Sequence, residues 1–399
     1  MRAGAAVAAT RDIGGRLGLT RGAIAAIATM AAAGIGTSLM PPLVSLNLAA
    51  QGVSERTIGL LIATIAASAL AVTPLASPLA ARIGTARLIA ASVLAAAILF
   101  PCVWFVDQVA LLFPLLFVYG TALTLCFTLS EYWINAATPE HRRGLVMGIY
   151  ATVLSIGFAI GPGIVALLGF ASVRPFLLGA AIMAAAAIPV IATRSASPDF
   201  DEAPRRRFAA FIFAVPVATL GVFVFAMSEQ SGFAFLPLWG RHLGFDPSLA
   251  VLLAAAMTLG NVVLQIPIGL IADRFDRRLV LLACGLVGSL GMAAAWAVSG
   301  SALFLMLVLL VWGGASAGLY TVGLAHLASR FSAADLAGAN AAFVFCYALG
   351  MLVGPIAVGD AMARAPTFGF PLILGGAFAV YSLVVAVRIV SKPRGSGAN

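Results

Sequence analysis

Charge is what this sequence has least of. Only 9% of its 399 residues are Asp, Glu, Lys or Arg, against roughly 25% in an ordinary soluble domain. A soluble fold of this size has more surface than so few charges can cover, because the buried fraction levels off as domains grow. Lysine is nearly missing, with Lys392 in the C-terminal tail as the one copy. A nucleotide-binding phosphate loop needs its lysine, so the chain carries no ATPase site of its own. The three histidines are scattered and make no H-E-x-x-H pair, and no enzyme activity is expected. Cysteine is scarce too. Cys102, Cys126, Cys284 and Cys346 all lie in apolar runs with no CxxC spacing. They read as small buried hydrophobes, and no metal or cofactor is expected.

What is present is apolar: 62% of the residues, with a mean hydropathy of +1.09. Disorder is excluded by the same composition. Twelve runs reach the roughly 20 residues a membrane-spanning helix needs. They lie near 22–46, 57–80, 88–106, 109–131, 144–169 and 174–193, then near 208–238, 248–271, 279–299, 302–326, 338–360 and 366–388. A membrane β-barrel would need short alternating strands instead. The expected fold is therefore an all-α membrane protein of twelve transmembrane helices, with the lipid bilayer as solvent. Short loops leave no room for a soluble domain of normal size.

The net charge is +9. Its arginines stand singly between apolar runs, which argues against nucleic acid as a partner and for loop charges that set orientation. With the N-terminus inside, 19 of the 23 basic residues fall on the cytoplasmic side, and Arg56, Arg174, Arg241 and Arg364 on the other. That asymmetry predicts cytoplasmic N- and C-termini. Arg2, Arg11, Asp12, Arg16 and Arg21 interrupt the first residues, so a cytoplasmic tail and an uncleaved first span are expected rather than a signal peptide.

The polar stretch 194–207 (RSASPDFDEAPRRR) reads as a cytoplasmic linker between an N-terminal six-helix bundle, 1–193, and a C-terminal one, 208–399. The halves repeat. Gly157-x-x-x-Gly161-Pro162 returns as Gly350-x-x-x-Gly354-Pro355. The loop from Ser77 to Gly84 returns from Gly269 to Asp276, and Pro42-Leu43 as Pro237-Leu238. Three matches at nearly one offset argue for two pseudo-symmetric bundles.

These motifs resemble the major facilitator superfamily. Gly269-Leu-Ile-Ala-Asp273-Arg274-Phe-Asp276-Arg277-Arg278 is similar to the family's G-x-x-x-D-R-x-G-R-R loop, with Asp276 where glycine is usual. The first-half copy has Ser77 for glycine and Ala81 for aspartate. Gly157-Phe-Ala-Ile-Gly161-Pro162 resembles the motif associated with antiporters. The run Glu131-Tyr-Trp133-Ile-Asn135, with Pro139 and Arg143-Gly144, resembles a compact bacterial branch whose substrates are mostly unassigned. The resemblance implies a central cavity lined by spans 1, 4, 7 and 10, and alternating access. It implies a bacterial inner-membrane location, a small-molecule substrate, protons as the coupling partner, and function as a monomer. Export by antiport is expected; symport of a metabolite or sugar is the alternative, and a non-transporting scaffold or sensor the alternative of another class.

Several residues then become candidates. Asp273 can dock on a helix N-terminus and Arg274 can pair with an acid, forming a cytoplasmic latch with Arg82, Glu131 and Arg143. The bland alternative is a loop that only holds charge inside. Glu131, at the end of span 4, is either part of that network or a solvated helix-end acid. Glu229 is the sharpest feature: a carboxylate at membrane depth costs about 2.5–3.5 kcal/mol on insertion scales. Water, a partner or a proton must offset that. It reads as a proton or cationic-cargo site past the midplane toward the outer side, with a local helix break at Gln230, Ser231 and Gly232. A structural hydrogen bond or an outer gate contact is its alternative. Asn261 and Gln265, four apart on one face, are cavity polar groups or interhelical bonds. Tyr119 and Tyr320 are candidate walls, with ring packing between helices the alternative. Gly157, Gly161, Pro162, Gly354 and Pro355 are packing positions, where small residues let helix backbones touch and proline kinks the helix.

Overall fold

The computed structural model describes residues 20–139, 142–198, 209–331 and 333–391. Among the described residues there is no strand, and twelve helices are long and apolar enough to cross a membrane. They are α1 (Arg21–Ala50), α2 (Glu55–Ile83), α3 (Thr85–Phe105), α4 (Val109–Ala136), α5 (Arg143–Leu168) and α6 (Arg174–Ala192). After the linker come α7 (Pro216–His242), α8 (Pro247–Arg274), α9 (Arg277–Ala297), α10 (Ala302–Ala328), α11 (Ala333–Arg364) and α12 (Gly369–Ser391). The protein is an all-α, multi-pass membrane protein. Lipid offers no hydrogen bonds, so every spanning backbone must satisfy itself, and helices do so within one segment. Large apolar side chains such as Ile98, Leu167, Leu290 and Val390 are exposed, as lipid-facing positions should be.

The twelve expected runs fall on these helices, with one shift that matters. Span 7 begins at Pro216, not near 208. A short helical turn, Ala209–Ala214, precedes it. Val215 adopts φ −131° and ψ 69° between the two, because a proline pushes the preceding residue out of the helical region. The first 19 residues, linker residues 199–207 and the tail from Lys392 lie outside the described residues.

The described residues group into two compact units. One is drawn from 20–40, 68–164 and 171–198, the other from 41–67, 165–170 and 209–391. In the first, Phe100 packs edge-on to Tyr119 at 5.8 Å and against Phe176 at 6.0 Å. The start of the linker folds onto α3, where Ser197 Oγ accepts from the Ala86 amide at 3.1 Å. In the second, Trp239 stacks on Phe370 at 5.4 Å and Trp312 meets Phe378 at 5.9 Å. Asp246 caps α8 by accepting from Ser248 N at 2.9 Å.

Candidate functional site

Glu229 lies at the midpoint of α7, thirteen residues from either end. An apolar run starting near 208 set it nearer the outer side; the later start at Pro216 moves it to mid-depth. The helix is continuous through Gln230, Ser231 and Gly232, so the expected local break is absent and the interruption falls at Val215 instead. From Val217 to Gly240, α7 is buried except for half-buried Leu220, Phe223 and Glu229. Glu229 is thus the one half-buried side chain between Val224 and Gly240.

Tyr347 Oη on α11 donates to Glu229 Oε2 at 2.6 Å. Phe225, one turn earlier on α7, has its ring 6.1 Å from Tyr347 and 5.4 Å from Tyr320 on α10. Tyr320 and Tyr347 are 6.2 Å apart, nearly perpendicular. The tyrosine that holds the carboxylate thus belongs to a ring cluster with Phe225 and Tyr320, and Tyr320 also packs on Phe343 at 5.5 Å. The neighbouring polar groups turn elsewhere. Ser228 Oγ shares a 2.5 Å hydrogen bond with Ser316 Oγ on α10, and Gln230 is only 2% exposed. Gln265 Nε2 donates to Thr321 Oγ1 on α10 at 2.9 Å, an interhelical bond, while Asn261 is half-buried one turn earlier on α8. Gly314-Ala-Ser316-Ala-Gly318 has the spacing of a hydrolase nucleophile elbow, which requires a strand-to-helix turn. Here it runs inside α10, with its serine bonded to Ser228.

A second carboxylate is bonded in the same manner. Glu131, in the last two turns of α4, accepts from Tyr150 Oη on α5 at 2.5 Å. Tyr119, on the same helix as Glu131, is fully buried in the ring cluster with Phe100. Arg82 is exposed in the last turn of α2. Arg143 opens α5, and its side chain lies outside the described residues.

Both tyrosines ride on the helices that carry the Gly-Pro motif. In α5 a Cβ at Gly157 would stand 2.6 Å from Ala31 O, and one at Gly161 would strike Ser38, both on α1. In α11 a Cβ at Gly354 would stand 2.7 Å from Met227 O, and one at Gly350 would strike Phe223 O, both on α7. Backbone contact of α11 with α7 is what brings Tyr347 to Glu229. Pro162 and Pro355 sit inside helices that continue past them. The partnership of these tyrosines with the two acids was missed in the sequence. The available signal was register: Tyr347 stands three residues before Gly350, on the repeated motif.

At the end of α8, Asp273 and Arg274 are exposed. The loop's bonded acid is Asp276, which accepts from Arg278 N at 3.0 Å and pairs with its guanidinium at 3.3 Å. Arg277 Nη1 donates to Ala325 O on α10 at 2.9 Å. The opposite end of the second unit carries contacts that no sequence motif revealed. Glu55, first residue of α2, meets His242 Nε2 at 2.9 Å. Asp360 on α11 pairs with Arg364 at 2.7 Å and Arg56 at 3.6 Å. A Cβ on Gly59 would strike Pro355 O, and Arg241 lies 5.7 Å from the centroid of the Phe170 ring.

With this geometry in hand, three comparisons bear on kinship. The family model described as Major Facilitator Superfamily matches residues 24–218 and 218–399. The "Uncharacterized MFS-type transporter YfkF" of Bacillus subtilis (strain 168) is 25% identical over 242 residues, 58% of this chain and 60% of YfkF. The matched region thus spans about three fifths of that relative's length. A crystallised variant of the nucleoside transporter NupG superposes with a TM-score of 0.75 at 16% identity, over 93% of this chain and 99% of its own. A bacterial homologue of the human lysosomal transporter Spinster, crystallised inward-facing and unoccupied, gives 0.74 at 15%, over 94% and 98%.

Proposed function

This chain belongs to the Major Facilitator Superfamily, and on that premise we propose that it exports a small organic molecule across the bacterial inner membrane in exchange for protons. The observation that carries the reading is Glu229, a carboxylate at the midpoint of a mostly buried helix, bonded to Tyr347. Left bare, such a charge costs about 2.5–3.5 kcal/mol on insertion scales, roughly a hundredfold in a conformational equilibrium. A proton removes that cost. Reorientation is then favoured when the carboxylate is neutralised, and the same differential binding that favours one conformation drives the cycle.

Alternating access supplies the motion: residues 1–193 rock against 208–399. Asp273, Arg274, Arg82, Glu131 and Arg143 form the cytoplasmic gate, and the contacts of Glu55, Arg56 and Gly59 with α7 and α11 form the outer one. The arginine asymmetry supports an orientation with both termini inside. In this scheme the Gly-Pro helices keep α5 on α1 and α11 on α7 through the cycle, so Tyr347 travels with Glu229.

Vesicles reconstituted with the full chain and given an acid lumen test the exchange. Export by antiport predicts that an organic solute accumulates in the lumen as protons leave, and that a protonophore abolishes the accumulation. Loss of preloaded solute together with protons would instead establish symport and overturn export.

A further inference from the structure

Resting on the transport reading, we infer that the Glu229 site takes an organic cation with an apolar or aromatic body, held by the carboxylate and by the face of Tyr320. Four observations converge. First, the acid meets no cation along its own helix or along the two helices whose rings lie beside it. α7 from Pro216 to Gly240, α10 from Ala302 to Ala325 and α11 from Gly338 to Met362 contain no Lys, Arg or His. The polar partner the structure gives Glu229 is a neutral tyrosine hydroxyl.

Second, the surroundings add negative potential instead of relieving it. The faces of Phe225, Tyr320 and Tyr347 carry the negative side of the ring quadrupole, which attracts cations and repels anions. Their spacing of 5.4–6.2 Å leaves no room for a guest between them. The rings pack on one another; Phe225 is buried, and the surface is that of Tyr320 and half-buried Tyr347.

Third, that surface is open, and not toward lipid. Tyr320 is 36% exposed. It lies about 140–180° around α10 from Phe304, Leu307 and Val311, at 3.6 residues per turn. Those three and Leu303, which lies about 100° away, are the other exposed large apolar side chains of that helix. Glu229 is half-buried, while its α7 neighbours from Val224 to Gly240 are buried.

Fourth, the site is poor in other polar groups. Ser228 is committed to Ser316 and Gln230 is buried. A sugar or nucleoside needs several hydrogen-bonding groups to replace its water, and this surface offers one charge and aromatic area. An anion would meet both the carboxylate and the ring faces with the wrong sign. A desolvated charge pair with ring contact is what remains, and both attractions strengthen where water is excluded.

Equilibrium dialysis of the purified full chain tests this with two probes of equal shape and opposite charge, radiolabelled tetraphenylphosphonium and tetraphenylborate. Saturable binding of the phosphonium and none of the borate is expected. Glu229→Gln weakens the phosphonium by at least about tenfold, and Tyr320→Ala by about tenfold. Tyr320→Phe stays within about twofold, because the ring face and not the hydroxyl makes the contact. If Glu229→Gln is not monodisperse, the Tyr320→Ala and Tyr320→Phe pair decides the matter. Comparable borate binding, absent phosphonium binding, or phosphonium affinity indifferent to these substitutions overturns the inference. Dialysis needs no transport, so the two readings fail separately. Phosphonium binding without proton-driven flux keeps the site and removes the exchange. Proton-driven flux of a neutral or anionic solute without phosphonium binding keeps the exchange and removes the cation class.

Discussion

Glu229 is visible in the sequence because acids are costly inside apolar runs. Its partner was not visible: 118 residues separate Tyr347 from Glu229, and only helix packing unites them. A hydrogen bond to a charged group is worth about 1.5–3 kcal/mol. Tyr347→Phe therefore lowers proton-driven solute flux by roughly tenfold to a hundredfold, while the melting temperature stays within a few degrees; initial rates in vesicles check this. A flux unchanged in Tyr347→Phe removes the tyrosine from the mechanism. Gln265 illustrates the opposite case. Its spacing with Asn261 left two readings open, and the structure gives it an interhelical partner in Thr321.

At the scale of elements, the twelve helices were legible because lipid leaves the backbone few choices. Where span 7 begins was not, because apolar residues continue upstream through Phe208–Ala214 and hydropathy does not register a backbone break. Pro216 decided it, and the eight-residue shift moved Glu229 from the outer half to the midpoint. The Gly-Pro repeat reads as packing; a Cβ at Gly350 or Gly354 would meet the α7 backbone. Gly354→Leu forces a side chain against Met227 and Ser231. Overpacking of this kind costs about 1–3 kcal/mol, so a lower melting temperature is expected together with loss of flux. Gly269→Ala, on α8 where an added methyl meets nothing within 4 Å, leaves the melting temperature unchanged or slightly raised. Equal losses in both variants would contradict the packing argument.

For the whole molecule, the repeat offset and the arginine pattern gave the two-bundle expectation and its orientation. The contacts at the start of α2 lay beyond them, since Glu55, Arg56 and Gly59 become informative only once α7 and α11 are placed. If these contacts hold the outer side shut, their removal loosens residues 51–58. An exposed ion pair is worth about 0–1 kcal/mol, so Asp360→Asn raises hydrogen exchange there by up to about fivefold. Gly59→Leu, which collides with the Pro355 backbone, raises it further. Exchange insensitive to both substitutions would exclude this latch.

The most direct test of the exchange centred on Glu229 tracks protons while solute moves. Vesicles holding the reconstituted chain and a trapped pH dye, with no gradient at the start, receive the transported solute outside. The lumen turns alkaline as solute enters and protons leave, and vesicles carrying Glu229→Gln show no change. A lumen that turns acid, or a variant that matches the original chain, would contradict the account.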